Sequence, residues 1–299
     1  MFTLTIDNEE KTFEEKVRLL DLIDDPEKNY YIALVNNRLR ELHYEVDYDA
    51  TVEFLDSTDP EAIHTYEASL RFLVAMAFHN IYPDFKFKFN YSISRTVFCH
   101  ILNLEKGSDM SGVLDNLRDE INRLIELDLP IRRTEMDTDE AINFYKKHGY
   151  DDKIDVIQYR PEDTVHFYKA EDYMNYMYSL MVPSTGYLKN YKLRAYPPGF
   201  LIQYPRAEVG GKIPKFEDAP TYGRTLRQAN RWSERINAQN IAQINRHAES
   251  EALVDFVQVN EAKHNQMLSE IGRTIKEHSD DIRLIAIAGP SSSGKTTFS

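Results

Sequence analysis

The sequence predicts an α+β protein in four parts: an acidic β-grasp, a larger α/β domain, a helical connector, and the first strand and loop of a further domain. Three observations carry this expectation. Residues 1–60 pack several β-forming runs around one short helical segment and hold 16 acids against 6 bases. From residue 61, helical and strand periodicities alternate as far as about residue 205. Near the end, a run at 282–288 that is apolar except for Arg283 leads into a loop rich in glycine and serine.

In the first part, residues 2–6 alternate apolar and polar, 11–14 can pair with them, and 17–23 have helical spacing. Residues 30–35 are strongly β-forming, Asn36 and Asn37 are turn-like, and 51–55 supply a closing strand. In the second part, a helix carrying Leu70, Phe72, Leu73, Met76 and Ala77 ends near Tyr82 and Pro83. Strands follow at 85–89 and 96–102. A helix from about 110 to 127 is stopped by Pro130, and another at 139–147 is capped by Gly149. Strands at 165–168, 191–195 and 200–204 complete the domain. Residues 206–220 contain Gly210, Gly211, Pro214 and Pro220 and read as a linker. Two or three helices span 222–278, the last striped by Leu253, Val257, Leu268, Ile271 and Ile275. The expected domains are therefore 1–60, 61–205, 206–280 and 281–299.

Composition narrows the class. The 299 residues carry a net charge of −13, of which −10 falls in residues 1–60. A nucleic-acid binder normally presents a basic face to phosphates, so RNA is an unlikely partner on charge alone. No run of about 18 apolar residues occurs, so no membrane partner is expected. A secretory leader is not evident at the N-terminus. A single cysteine, Cys99, excludes an internal disulfide framework and multi-cysteine metal sites. The expected home is the cytoplasm, and self-association into a homo-oligomer stays open.

The sharpest motif is G-x-x-x-x-G-K-[ST] at 289–296. In it Gly289, Ser291, Ser292, Ser293 and Gly294 would wrap a polyphosphate with backbone N–H groups. Lys295 would act on the β- and γ-phosphates as the catalytic residue, and the Thr296 hydroxyl would ligate Mg²⁺ with ATP. Thr297 follows as part of the same cradle. The chain stops at Ser299, before any Mg²⁺-holding aspartate or acceptor pocket could follow. The expectation is the front of a longer protein, inactive as a phosphotransferase by itself.

The run from Ile285 to Phe298 resembles the start of the uridine kinase and phosphoribulokinase family. The acidic β-grasp resembles a TGS domain, and residues 61–205 look like the editing domain of threonyl-tRNA synthetase. A group of bacterial uridine kinase-like proteins carries this order of domains. The resemblance implies a P-loop nucleoside kinase, uridine kinase-like, whose accessory half is this chain, with nucleotide and nucleoside as partners and ATP and Mg as cofactors. The alternatives are a tRNA- or nucleotide-sensing binding module without catalysis and a tRNA-editing-type hydrolase.

One departure from the editing domain matters. That family places H-x-x-x-H on a helix and C-x-x-x-H-V-P before a strand. Here Ala68 and Phe72 stand at the histidine positions, and Met177 and Met181 stand where Cys and His would be, although Val182 and Pro183 survive. Alanine and phenylalanine cannot coordinate zinc, and a thioether is a poor ligand for it. No zinc is expected. Among other residues, Cys99 and His100 should point to opposite faces of one strand. His264 falls on the apolar stripe of the long helix, where a core histidine is the default. Arg224, Arg227, Arg231 and Arg235 form one face of a helix, either solvated or a docking stripe for phosphates or for the acidic first domain.

Overall fold

Alternation of Phe2, Leu4 and Ile6 with threonines makes β1 (Phe2–Ile6) a strand with one buried face. It turns through Asp7 and Asn8, both at positive φ, into antiparallel β2 (Glu9–Phe13). Such paired positive φ values are the signature of a tight hairpin whose twist matches its strands. The computed structural model describes residues 1–25, 28–104, 109–289 and 291–298.

After β2 come β3 (Val17–Arg18) and a single 3₁₀ turn at Leu19–Leu22, in place of the helix expected over 17–23. The reason is local. Leu19 and Leu20 donate their amides to the carbonyls of Tyr44 and Leu42, at 3.0 and 2.8 Å. Burial of Leu19 and Leu22 then needs only an i, i+3 turn. The strands β4 (Ile32–Val35) and β5 (Arg38–Glu41) form a hairpin through Asn36 and Asn37, again both at positive φ. Short β6 (Glu45–Val46) pairs with β3. β7 (Ala50–Leu55) runs parallel to β1 in a mixed sheet of order β2-β1-β7-β4-β5.

Asp59 caps α1 (Pro60–Ile81), accepting from the amides of Glu61 and Ala62, with Pro60 in the first turn. This helix is covered on most sides and forms the axis of the largest core. Next come β8 (Phe87–Ile93), β9 (Thr96–Ile101), α2 (Met110–Glu126), β10 (Arg132–Asp137), α3 (Thr138–His148) and α4 (Asp151–Ile157). Gly149 closes α3 in the left-handed conformation. Then follow β11 (Thr164–Ala170), β12 (Tyr173–Tyr176), β13 (Lys192–Tyr196) and β14 (Gly199–Gln203).

Two antiparallel sheets result, β13-β14-β9-β8 and β10-β11-β12. All five residues of β14 are buried. A Cβ on Gly199 would lie 2.0 Å from the Cys99 carbonyl oxygen, so only glycine lets β14 meet β9 there. Cys99 is fully buried while His100 is half-buried, as strand alternation requires.

The chain divides into two compact units, Met1–Ala229 and Asn230–Ser299. Helix α5 (Pro220–Arg235) crosses that division, and α6 (Ile241–Ala248) and α7 (Leu253–Glu277) follow. Within the second unit, the His247 ring stacks on Phe256 at 4.1 Å and Trp232 Nε1 donates to Asn260 at 3.0 Å. No residue of α7 is buried, and His264, expected in a core, is exposed. Of its stripe, Leu253, Val257 and Ile271 are exposed, while Leu268 and Ile275 are half-buried.

The expected strand at 282–288 does not form. Leu284 is 86% exposed, and no described strand pairs with this run. A buried parallel strand exists only with ladder partners on its flanks. The fold of the described residues is thus mixed α+β with several sheets, and 282–288 form no strand among them. Among the described residues no helix is long and apolar enough to cross a membrane.

Candidate functional site

The best-built side-chain constellation lies where α1, the β5 end and segment 177–183 converge. Ser69 on α1 donates to the Thr65 carbonyl at 2.7 Å and accepts the Val182 amide at 2.9 Å. Its hydroxyl also lies 3.3 Å from Met181 Sδ. On the other side, Glu41 Oε1 accepts the Met181 amide at 2.9 Å and the Tyr168 hydroxyl at 2.5 Å. His43 Nε2 donates to the Pro183 carbonyl at 3.0 Å, leaving its buried Nδ1 without a hydrogen bond. Burial lowers the His43 pKa, with Arg132 and Arg18 adding to it against the Pro183 bond and Glu41. The backbone of 181–183 is therefore gripped from both sides.

Within this grip, Ala68, Phe72 and Met181 are buried and Met177 is half-buried. Phe72 packs edge-on against Tyr173 at 5.1 Å. Hydrocarbon and thioether fill these four positions, which the resemblance to an editing domain singles out as ligand positions. Among the described residues, no three His, Cys, Asp or Glu side chains gather in a metal-holding group.

Beside Met177 opens a cavity of about 280 Å³. The β10-β11-β12 register builds its wall, setting Arg133 opposite Tyr168 and Glu135 opposite His166. Arg160 donates from Nη1 to the Tyr176 hydroxyl at 2.8 Å and lies over that ring at 5.4 Å. Glu162 pairs with its Nε at 3.2 Å. Tyr178 stands at the rim, 93% exposed. Burial first, and Glu41 second, push the Tyr168 phenol above the tyrosine range, so it stays protonated and donates to Glu41. Arg132, opposite Lys169 in the next register pair, adds further positive charge to the same sheet. Chemically the cavity offers aromatic and guanidinium planes with cations beside them, which suits a flat base carrying an anion.

Sequence reasoning passed over this cavity. Its best local signal was the Arg132-Arg133 pair after Pro130, together with the alternation of His166 and Tyr168. Neither singles out a site until β12 fixes the register.

The motif residues lie in the second unit. Gly289 and Ser291 to Gly294 are exposed, Ser292 and Gly294 take positive φ, and Lys295 Nζ donates to the Gly289 carbonyl at 2.9 Å. Thr296 is exposed on α8 (Lys295–Phe298), a single turn. Pro290 and the Thr297 side chain lie outside the described residues. In the arginine stripe, Arg224 donates to Thr221 at 3.2 Å and Arg227 lies over Tyr196 at 5.9 Å. Among the described residues neither pairs with an acid of residues 1–60. For these two arginines docking on the acidic first domain is not seen; they find partners within a turn or on β13 instead.

Comparison with known proteins points to one class of enzyme. The chain is 30% identical over 166 residues to the threonine–tRNA ligase of Fusobacterium nucleatum subsp. nucleatum, covering 54% of this chain and 26% of that protein. The threonine–tRNA ligase of Syntrophomonas wolfei subsp. wolfei is 27% identical over 193 residues, covering 62% and 30%. That of Desulforamulus reducens is 31% identical over 160 residues, covering 53% and 25%. No family model matches the chain. The chain spans less than a third of the length of these relatives.

The similarity supports the TGS-like and editing-like resemblance. It corrects the expectation of a nucleoside kinase parent, because these relatives are aminoacyl-tRNA ligases. An eight-residue loop motif weighs less than similarity sustained over 160 residues or more. The charge-based expectation against RNA is weakened likewise: the acidic excess sits in residues 1–60, whereas β10 and β11 carry cations.

Proposed function

We propose that this chain is a tRNA-binding module that holds a terminal nucleotide in the β10-β11-β12 cavity and performs no metal-dependent hydrolysis. One observation carries the reading: Arg133, Arg160 and His166 line a cavity together with Tyr168, Tyr176 and Tyr178, directly beside Met177. The relatives' own names supply tRNA as the polymer. Stacking on an aromatic plane contributes about 1–3 kcal/mol per base, and arginine recognises phosphate through its planar fork. With Ala68, Phe72, Met177 and Met181 at the would-be ligand positions, binding without cleavage is the chemistry that remains, and zinc has no role in it.

The test compares an intact tRNA with the same tRNA stripped of its 3′-terminal nucleotides, in a salt series. Intact tRNA should bind more tightly, Arg133→Ala should shallow the salt dependence by about one phosphate contact, and Tyr176→Ala should lower affinity. Equal binding of both tRNAs, or loss of aminoacyl groups from charged tRNA on incubation with the chain, would refute it.

A second reading concerns 289–296. The Lys295–Gly289 bond draws the ends of this loop together, which favours a polyphosphate cradle of Gly289, Ser291, Ser292, Ser293, Gly294 and Lys295, with Mg²⁺ at Thr296 and Thr297 adjoining. MgATP binding that disappears in Lys295→Ala would support it, and its absence in the unaltered chain would end it.

A further inference from the structure

A second cavity in the first unit, about 600 Å³, has more than twice the volume of the first and a different chemistry. It lies between the 3₁₀ turn of the β-grasp and the C-terminal end of α2. Leu20, Ile23 and Ile125 give it an apolar wall. Glu126 and Asp128 contribute negative charge there, and the last carbonyls of α2 add to it. Lys28 and Lys189 contribute positive charge to the same cavity. Among the described residues, neither Lys189 nor Glu126 enters an ion pair.

Asp128 is held in place at a cost. Its φ is 48°, in the left-handed region that non-glycine residues rarely adopt. Ser184 Oγ and the Gly186 amide both donate to its Oδ1, the latter at 3.0 Å. A Cβ on Gly186 would sit 2.2 Å from that oxygen, so a glycine there is what admits the carboxylate. No described hydrogen bond uses Oδ2. Tyr187, on the same cavity, has its phenol pKa raised by burial and then by the charge of Asp128.

A simple anion in this cavity would meet Glu126 and Asp128, and a simple cation would meet the two lysines. A ligand carrying both charges on a short apolar body satisfies every group present. A cavity of this volume falls within the range of about 300–1,000 Å³ usual for small-molecule sites, which favour the boundaries between domains. We propose that it binds a zwitterion of the α-amino acid or dipeptide class. The ammonium faces Asp128 and Glu126, the carboxylate faces Lys28 and Lys189, and the apolar side chain lies on Leu20, Ile23 and Ile125.

Calorimetric titration of the full chain with L-leucine and with glycyl-L-leucine tests this, and the tighter of the two identifies the source. The controls are N-acetyl-glycyl-L-leucine, which lacks the cation, and glycyl-L-leucinamide, which lacks the anion. Saturable binding of a zwitterion is expected, weakened about tenfold or more by blocking either end. Lys189→Ala and Glu126→Gln should each weaken it severalfold without moving the thermal unfolding midpoint. Two results overturn the proposal: no saturable binding of either zwitterion up to about 10 mM, or blocked forms that bind as tightly as the zwitterion.

Discussion

The two longest helices, α1 and α7, have similar lengths, 22 and 25 residues, and opposite surroundings. Helix α1 buries 14 residues from Ala62 to Phe78, touching strands and loops on most sides. Helix α7 buries none, although Val257, Met267 and Ile271 follow one stripe. Apolar periodicity therefore writes a helix into both, but cover comes from elsewhere in the chain. In α1 the cover is α2, the sheet residues of the shared core such as Cys99 and Phe200, and segment 177–183. For α7, the described residues supply only the His247 ring beside Phe256 and Trp232 beside Asn260 and Lys263.

The sharpest way to break this contrast is a pair of truncations. Phe72→Ala on α1 should cost about 3–5 kcal/mol of first-unit stability. Ile271→Ala on α7, 46% exposed, should change stability by no more than about 0.5 kcal/mol. Urea denaturation of both variants measures the difference, and equal costs would mean that α7 is covered in solution.

Ser69→Ala probes how the cover is attached to α1. It strands the buried Val182 amide and should cost about 1–3 kcal/mol, read from the same denaturation curves. Asp59→Ala removes the cap of α1 and should cost about 0.5–2 kcal/mol. An unchanged midpoint would show that tertiary packing alone holds the first turn.

The smallest effect concerns His43, which clamps Pro183 from the β-grasp side. Burial lowers its pKa in the folded state, so the unfolded chain binds more protons once pH falls below the ordinary histidine value of about 6.5. Stability from this group is complete above that value and declines as pH drops through it and toward the lowered folded value. His43→Gln keeps a donor and should flatten that part of the stability–pH curve. A curve of unchanged slope would remove His43 from the clamp.

Local signals carried far in the β-grasp and poorly around the cavity. β1 is readable because Phe2, Leu4 and Ile6 alternate cleanly, and the Asn36–Asn37 turn because paired asparagines tolerate positive φ. β10 was missed because Arg132 to Asp137 is nearly all polar and exposes four of six residues, so no apolar rhythm marks it. α4, with seven residues, is too short for a helical period to register. The run 282–288 shows the converse failure, since a strand's apolar content is local and its pairing is not. The cavity at Arg133 and Tyr168 depends on the register of three strands, which no contiguous motif encodes.

The close approach of β14 to β9 at Gly199 has a practical consequence for Cys99. That thiol is fully buried, and burial pushes its pKa well up, so thiol reagents meet neither an accessible sulfur nor a thiolate. Its alkylation rate becomes a clock for opening of the strand pair. The same shielding lets one cysteine engineered on the surface be labelled selectively without first replacing the native one.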